Sequence, residues 1–341
     1  MDAPISMLPP WLEDPKDRLN RALASPRPPH ALLLQGADGL GLERLATWVA
    51  ARVLCQAPRG APCGACRSCL AVARGVHPDL SWVTPIEDSK QIRVEEIRTL
   101  TADLALKSHQ GGYKVAMLHP AEALNASAAN ALLKTLEEPA PQTLLVLVTH
   151  RRARLPATII SRCQRLVVPP PSREVARAWL ARELPGRDLT SALNFARGAP
   201  LRALELARGD FEHLEREMQA VLQQLAGSAL DVPGTAQSWT RAAQAAALRD
   251  RVLWLETWVT DGITRAIAGP RSLPAGASDG LPAVHETLKI RGLYQVLDRL
   301  RQFRMSSATS LNMTMAVEGL LLDLQHALST AAEQRNGAGH R

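Results

Sequence analysis

Three short apolar runs in the first half of the chain constrain its fold more than any other feature: ALLL at residues 31–34, VAML at 115–118 and LLVLV at 144–148. Each has the length and composition of a strand buried on both faces, which is how strands occur in parallel sheets covered by helices. Helical patterns lie between them, among them LERLATWVAARVL and ASAANALLKTLEEP. In the second pattern Leu132, Leu133 and Leu136 share one face, Asn125 can cap the start and Pro139 stops the helix. The alternation predicts an α/β domain with helices on both sides of a parallel sheet.

Three prolines in VVPPPSREV, residues 167–175, end the alternation and read as a linker. Beyond it the patterns are helical. A short piece to Arg208 is broken at Pro185-Gly186 and at residues 198–200, and a longer one carries helices such as RVLWLETWVTDGI, with apolar residues three and four apart. GPRSLPAGASDGLPA, residues 269–283, reads as a surface loop and EQRNGAGHR as a frayed tail. The expected domains are an α/β domain over 1–168, a small helical domain over 169–209, an all-α domain over 210–332 and a disordered tail over 333–341. A chain of 341 residues can give each domain its own core.

The net charge of +7 and pI near 9.5 permit contact with nucleic acid or an acidic partner without requiring it. The N-terminus lacks the basic and apolar regions of a signal peptide, and no apolar run approaches the length of a membrane span. The expectation is a soluble, cytoplasmic protein with no membrane partner, in which cysteines do not form disulfides.

After the first apolar run comes GADGLGLE, residues 36–43. Gly36 and Gly41 have the spacing of a phosphate-binding loop, with Gly39 between them, and a helix pattern follows. Leu42 stands where the loop's lysine belongs and Glu43 where the magnesium-binding hydroxyl belongs. Leu42 brings no charge, and Glu43 would set a negative charge beside a polyanion. Glu43 suits the positive end of a helix dipole better. A second defect agrees: the run 115–118 leads into His119 and Pro120 instead of Asp-Glu, and Glu122 comes too late. ATP is therefore not expected to be bound or hydrolysed here. A lone His119 at a strand end is read as structural.

Cys55, Cys63, Cys66 and Cys69 are spaced C-x7-C-x2-C-x2-C. Two overlapping C-x2-C units and one cysteine from a helix end can close a tetrahedral thiolate site, which points to structural zinc. Arg59 and Arg67 would favour the thiolate forms. An iron–sulfur cluster is the rival, though ferredoxin spacing is not matched. His77 is an alternative ligand. Further on, THRRARLPATIISRCQRL carries Arg151, Arg152, Arg154, Arg162 and Arg165. The first three read as solvated basic surface. Arg162 differs: it follows a helical turn begun by Pro156, between Ser161 and Cys163, and could present a guanidinium fork at the domain edge.

HALLLQGADGLG, the four-cysteine insertion, ANALLKTLEEP and TIISRC occur in an order that resembles bacterial clamp-loader subunits of the AAA+ class. The resemblance covers most of residues 9–170 motif by motif, and rests on domain layout beyond. The family's ATPase subunits share the cysteine module and the Ser-Arg-Cys triplet but keep the lysine loop and Asp-Glu. Departures at Leu42, Glu43, His119 and Pro120 point to a non-hydrolysing member. The resemblance implies an AAA+ RecA-like α/β domain, a small helical lid and an all-α collar for oligomerisation. It implies that Arg162 is an arginine finger reaching in trans into a neighbour's ATP site. GAPLR, residues 198–202, resembles a second nucleotide-sensing motif with Arg202 as the sensor. The implied partners are the clamp-loader ATPase subunits and the clamp-opening delta subunit in a hetero-pentamer, with the sliding clamp and primed DNA met through the assembled complex. Two rival readings are an ATPase motor subunit with an atypical loop and an independent DNA-binding module using the arginine strip. No aromatics interleave that strip for base stacking.

Overall fold

A computed structural model of the chain describes residues 7–57, 62–86, 91–241, 245–268, 290–306 and 313–338. Arg59 and the expected loop over 269–283 lie outside these residues. The chain forms two compact units, Met1–Pro185 with Gly198–Arg202, and Gly186–Arg197 with Ala203–Arg341.

The first unit holds five strands: β1 (Ala31–Gln35), β2 (Leu80–Val83), β3 (Lys114–Leu118), β4 (Thr143–Thr149) and β5 (Gln164–Val167). They form one sheet in the order β2-β3-β4-β1-β5. Every pairing is parallel, with Leu118 opposite Leu147 and Leu33 also opposite Leu147. This order, with helical crossovers, is the RecA-like α/β fold expected from the sequence. The three apolar runs supply the central strands, whose residues are buried along almost their whole length. β2 and β5 are the edges, and β5 buries only Leu166.

The helices of this unit are α1 (Glu13–Leu23), α2 (Leu42–Leu54), α3 (Arg67–Ala73), α4 (Val94–Ala105), α5 (Ala126–Glu137), α6 (Ala157–Ile160) and α7 (Arg173–Glu183). Alternate strand residues Leu33, Ala116, Leu118, Leu145 and Leu147 share one core with Ile97 and Leu100 of α4 and Leu132 and Leu136 of α5. Burying each of the larger side chains contributes about 1.5–3 kcal/mol. α5 begins where Asn125 accepts a hydrogen bond from the N–H of Ala128 (2.8 Å), satisfying one of the donors left over at a helix start. α2 is buried on most sides, through Leu42, Leu45, Ala46, Trp48, Val49, Ala50, Ala51 and Leu54.

The remaining helices are α8 (Thr190–Phe195), α9 (Pro200–Arg208), α10 (Phe211–Ala226), α11 (Val232–Trp239), α12 (Ala245–Ala268), α13 (Ile290–Ser306) and α14 (Met313–Ala338). α9 starts in the first unit and ends in the second. α14 continues past residue 333, where the sequence suggested a tail, and 339–341 lie outside the described residues. The second unit's core includes Met218, Leu222, Leu225, Trp239, Leu255, Val259, Leu293, Leu300, Val317 and Leu321. A half-buried carboxylate at the edge of this core gathers three donors. Glu217 accepts from Nε1 of Trp239 (3.0 Å) and from Nε and Nη2 of Arg251 (2.9 and 3.1 Å), while the Arg251 guanidinium lies over the Trp239 ring. That fork ties α10, α11 and α12 together, because its three partners come from those three helices.

Candidate functional site

The glycine loop runs from the end of β1 to the start of α2. Gly39 and Gly41 hold left-handed backbone, with φ of +79° and +85°. The N–H of Leu201 donates to the carbonyl of Gly39 (3.1 Å). A Cβ added at Gly39 would lie 2.4 Å from Cβ of Arg202 and 2.7 Å from its backbone nitrogen. The backbone of 201–202, at the start of α9, thus fills the space over the loop. Leu42 does not take a lysine's outward course; it is fully buried.

Glu43, in the first turn of α2, faces two strand ends. Its Oε1 lies 2.9 Å from Nε2 of His119, just past β3, and 3.0 Å from Nε2 of His150, just past β4. The two Nε2 atoms are 3.2 Å apart and the rings meet edge to face. Nδ1 of His150 sits 3.2 Å from the carbonyl oxygen of Gly36, and its backbone N–H donates to Oε1 of Glu122 (3.1 Å). Burial raises the Glu43 carboxyl, but hydrogen bonds from His119 and His150 outweigh it and hold the group well below the usual carboxylate range. Burial works the other way on His150, and the Glu43 hydrogen bond and charge overcome it, raising that imidazole. Glu43, His119 and the loop are thus brought together. Pro120 adds no polar side chain and starts a turn, its carbonyl accepting from Ala123 (3.0 Å). His150 was missed in the sequence, where it reads as the edge of a basic strip. The signal available was its position: His119 and His150 both follow buried runs that become adjacent parallel strands, and ligands gather at the carboxyl ends of such strands.

Sγ atoms of Cys55, Cys63, Cys66 and Cys69 all lie within 4.8 Å of one another. Cys63 and Cys69 sulfurs are 3.9 Å apart, close to the edge of a tetrahedron built on Zn–S bonds of about 2.3 Å. Backbone N–H groups donate to sulfur at Ala57→Cys55, Cys66→Cys63 and Cys69→Cys66, each 3.4 Å. The N–H groups of Ala65 and Cys66 lower the Cys63 thiol. At Cys66 burial opposes ionisation, but N–H donors from Cys69 and Gln56 bring the thiol down to about 6. Burial pushes Cys69 up to about 12. Two thiols poised to ionise within a four-sulfur cage can bind a metal such as zinc. His77 stands apart from the cage: the N–H of Asp79 donates to its Nδ1 (3.0 Å), and its Nε2 lies 2.8 Å from Oγ of Ser68.

Arg162 is half-buried at the end of α6. Its guanidinium donates to Glu137 at the end of α5, to the carbonyl of Thr158 (3.0 Å) and to Oγ of Ser161 (3.4 Å). Cys163 turns inward into the sheet core, where burial pushes its thiol up to about 12. Arg151, Arg152 and Arg154 are exposed around a short 3-10 turn.

The sheet order, with a glycine loop leading from β1 into α2, defines a RecA-like α/β domain. Comparison with known proteins narrows this. The family described as "DNA polymerase III, delta subunit" matches residues 11–172. DNA polymerase III subunit delta' of Pseudomonas aeruginosa is 42% identical over 62% of this chain and 65% of its own. The Escherichia coli protein of that name is 32% identical over 94% of this chain and 96% of its own, and that of Haemophilus influenzae 39% identical over 53% and 56%. The chain belongs to the family of DNA polymerase III delta' subunits, a clamp-loader component.

Proposed function

We propose that the protein is a non-hydrolysing subunit of a DNA polymerase III clamp loader that lends Arg162 in trans to the ATP site of an adjacent motor subunit. The observation that carries this reading is the state of its own loop. The backbone at Arg202 abuts Gly39, Leu42 is buried in the core, and the Glu43 carboxylate sits at the start of α2 where phosphate would otherwise meet the helix. A group that hydrolyses nothing can still stabilise charge on a neighbour's γ-phosphate, and guanidinium suits that task by its permanent charge and fork. In this reading Arg202 is a retained sensor position, 1–168 the AAA+ domain, 169–209 its lid and 210–332 the collar through which a hetero-pentamer assembles. Cys55, Cys63, Cys66 and Cys69 would hold zinc, whose role in a closed four-thiolate site is structural. Sliding clamp and primed DNA are met by the complex in the cytoplasm. Among the described residues no helix is long and apolar enough to cross a membrane.

The test is the ATPase activity of a reconstituted loader with clamp and primed DNA, with this chain or its Arg162→Ala variant, and of this chain alone. We expect no turnover by the chain alone. The variant should assemble and lose most of the stimulated turnover, since trans-acting fingers are worth about 10³–10⁵ in rate at one site. Turnover by the chain alone would favour the motor-subunit reading. Full activity of the assembled variant would reduce the role of the subunit to scaffolding.

A further inference from the structure

We propose that Glu43, His119 and His150 form a binding site for a divalent transition-metal ion, separate from the cysteine cage and seated in the degenerate nucleotide loop. Three donor atoms converge there: Oε1 of Glu43 and Nε2 of His119 and His150, separated by 2.9, 3.0 and 3.2 Å. An ion about 2.0–2.1 Å from each atom fits on one side of so small a triangle. The three ligands then occupy one face of the ion, and the opposite positions stay open to water. Two imidazoles and one carboxylate on one face suit zinc, ferrous iron or cobalt, whereas magnesium and calcium take oxygen donors.

The arrangement is poorly explained as hydrogen bonding alone. With Nδ1 of His150 donating to the Gly36 carbonyl, the lone pair of its neutral Nε2 faces the Glu43 carboxylate oxygen at 3.0 Å, so two lone pairs are set against each other. An ion resolves the conflict by taking a lone pair from all three atoms. His150 is already oriented for this role. Its Nδ1 faces the Gly36 carbonyl, which accepts an N–H and so directs the lone pair of the neutral ring to Nε2, as is usual for metal-ligating histidines. A second observation comes from Glu122. One of its oxygens accepts from the His150 backbone, while Oε2 is buried with no hydrogen-bond partner. An ordered water next to the His150 backbone would supply the donor such an oxygen requires. The ligands come from α2 and from the ends of β3 and β4, so the ion would clip together the elements that a nucleotide and its cation bridge in a working loop. The proposal does not depend on any role of Arg162.

The test counts metal per full-length chain after dialysis against zinc, by elemental analysis. The unmodified protein should bind two zinc ions. Cys63→Ser with Cys66→Ser should lose one of them. His119→Gln with His150→Gln should lose the other and keep the ion of the cysteine cage. Glu43→Gln preserves an acceptor for the imidazoles, so it should melt like the metal-free protein while weakening the second ion at least tenfold. That variant separates coordination from folding. Cobalt added to protein already carrying one zinc should give the weak visible absorption of nitrogen and oxygen ligands without a sulfur charge-transfer band. Saturation of the unmodified protein at one ion, retention of the second ion by the histidine double variant, or a sulfur band on cobalt addition would each overturn the proposal.

Discussion

Gly39 is held by two demands at once. Its φ of +79° lies in the left-handed region, and the Arg202 backbone occupies the place of any side chain. The first demand alone costs an L-residue about 1–2 kcal/mol. The second adds the cost of moving a helix start, because the obstructing atoms are backbone and Cβ. Gly39→Ala should therefore lower stability by at least about 2 kcal/mol in urea unfolding. An unchanged midpoint and slope would show that the loop yields. His77 makes a different prediction. Its neutral ring accepts from Asp79 at Nδ1 and can donate at Nε2 to Ser68, whose hydroxyl donates to the carbonyl of Leu54 (2.5 Å). Burial lowers this imidazole's affinity for a proton, against the pull of Asp79 and Gln110. The unfolded chain then binds the proton more readily, so the stabilisation is complete above about pH 6.5 and drains as pH falls through the depressed folded value. The stability gap between the unmodified protein and His77→Gln should narrow from pH 7.5 to 5.5. A constant gap would mean that His77 titrates alike in both states.

Among the elements, α3 depends on what lies beside it. It has seven residues, too few to hold a helix by its own hydrogen bonds, and it starts at Cys66, whose sulfur accepts from the N–H of Cys69. If the cysteine cage holds the proposed zinc, its removal should therefore raise hydrogen exchange across 62–73 and leave β1, β3 and β4 protected. Slow exchange in α3 after chelation would show that packing on α2 suffices. The central strands could be read from sequence because burial on both faces makes them unbroken apolar runs. LSWV and QRLV could not, since edge strands bury few of their residues. α5 was legible for a local reason: its cap lies three residues from the donor it satisfies. The triad was not. Glu43, His119 and His150 are remote in sequence, and only the pairing of β3 with β4 and of β4 with β1 brings them to one end of the sheet. The cysteine cage was readable because all four ligands lie within one short segment.

For the molecule as a whole, the order of the chain and the grouping of its contacts differ. Residues 198–202 belong with 1–185, although 186–197 come between and belong elsewhere. The returning segment is part of the first unit's interior. Leu201 is buried, its N–H bonds Gly39, and its Cδ1 would stand 2.9 Å from a Cβ at Gly41. A fragment that stops before residue 198 uncovers the loop and the start of α2. One leucine's burial and one backbone hydrogen bond are together worth about 2–4 kcal/mol, a large share of what a single domain retains. A fragment of residues 1–185 should thus unfold at a lower temperature than a fragment of residues 1–208, which restores the segment. Leu201→Ala in the longer fragment should remove most of the difference. Equal midpoints for the two fragments would mean that the loop holds its shape without α9, and that the 198–202 backbone rests on it without stabilising it.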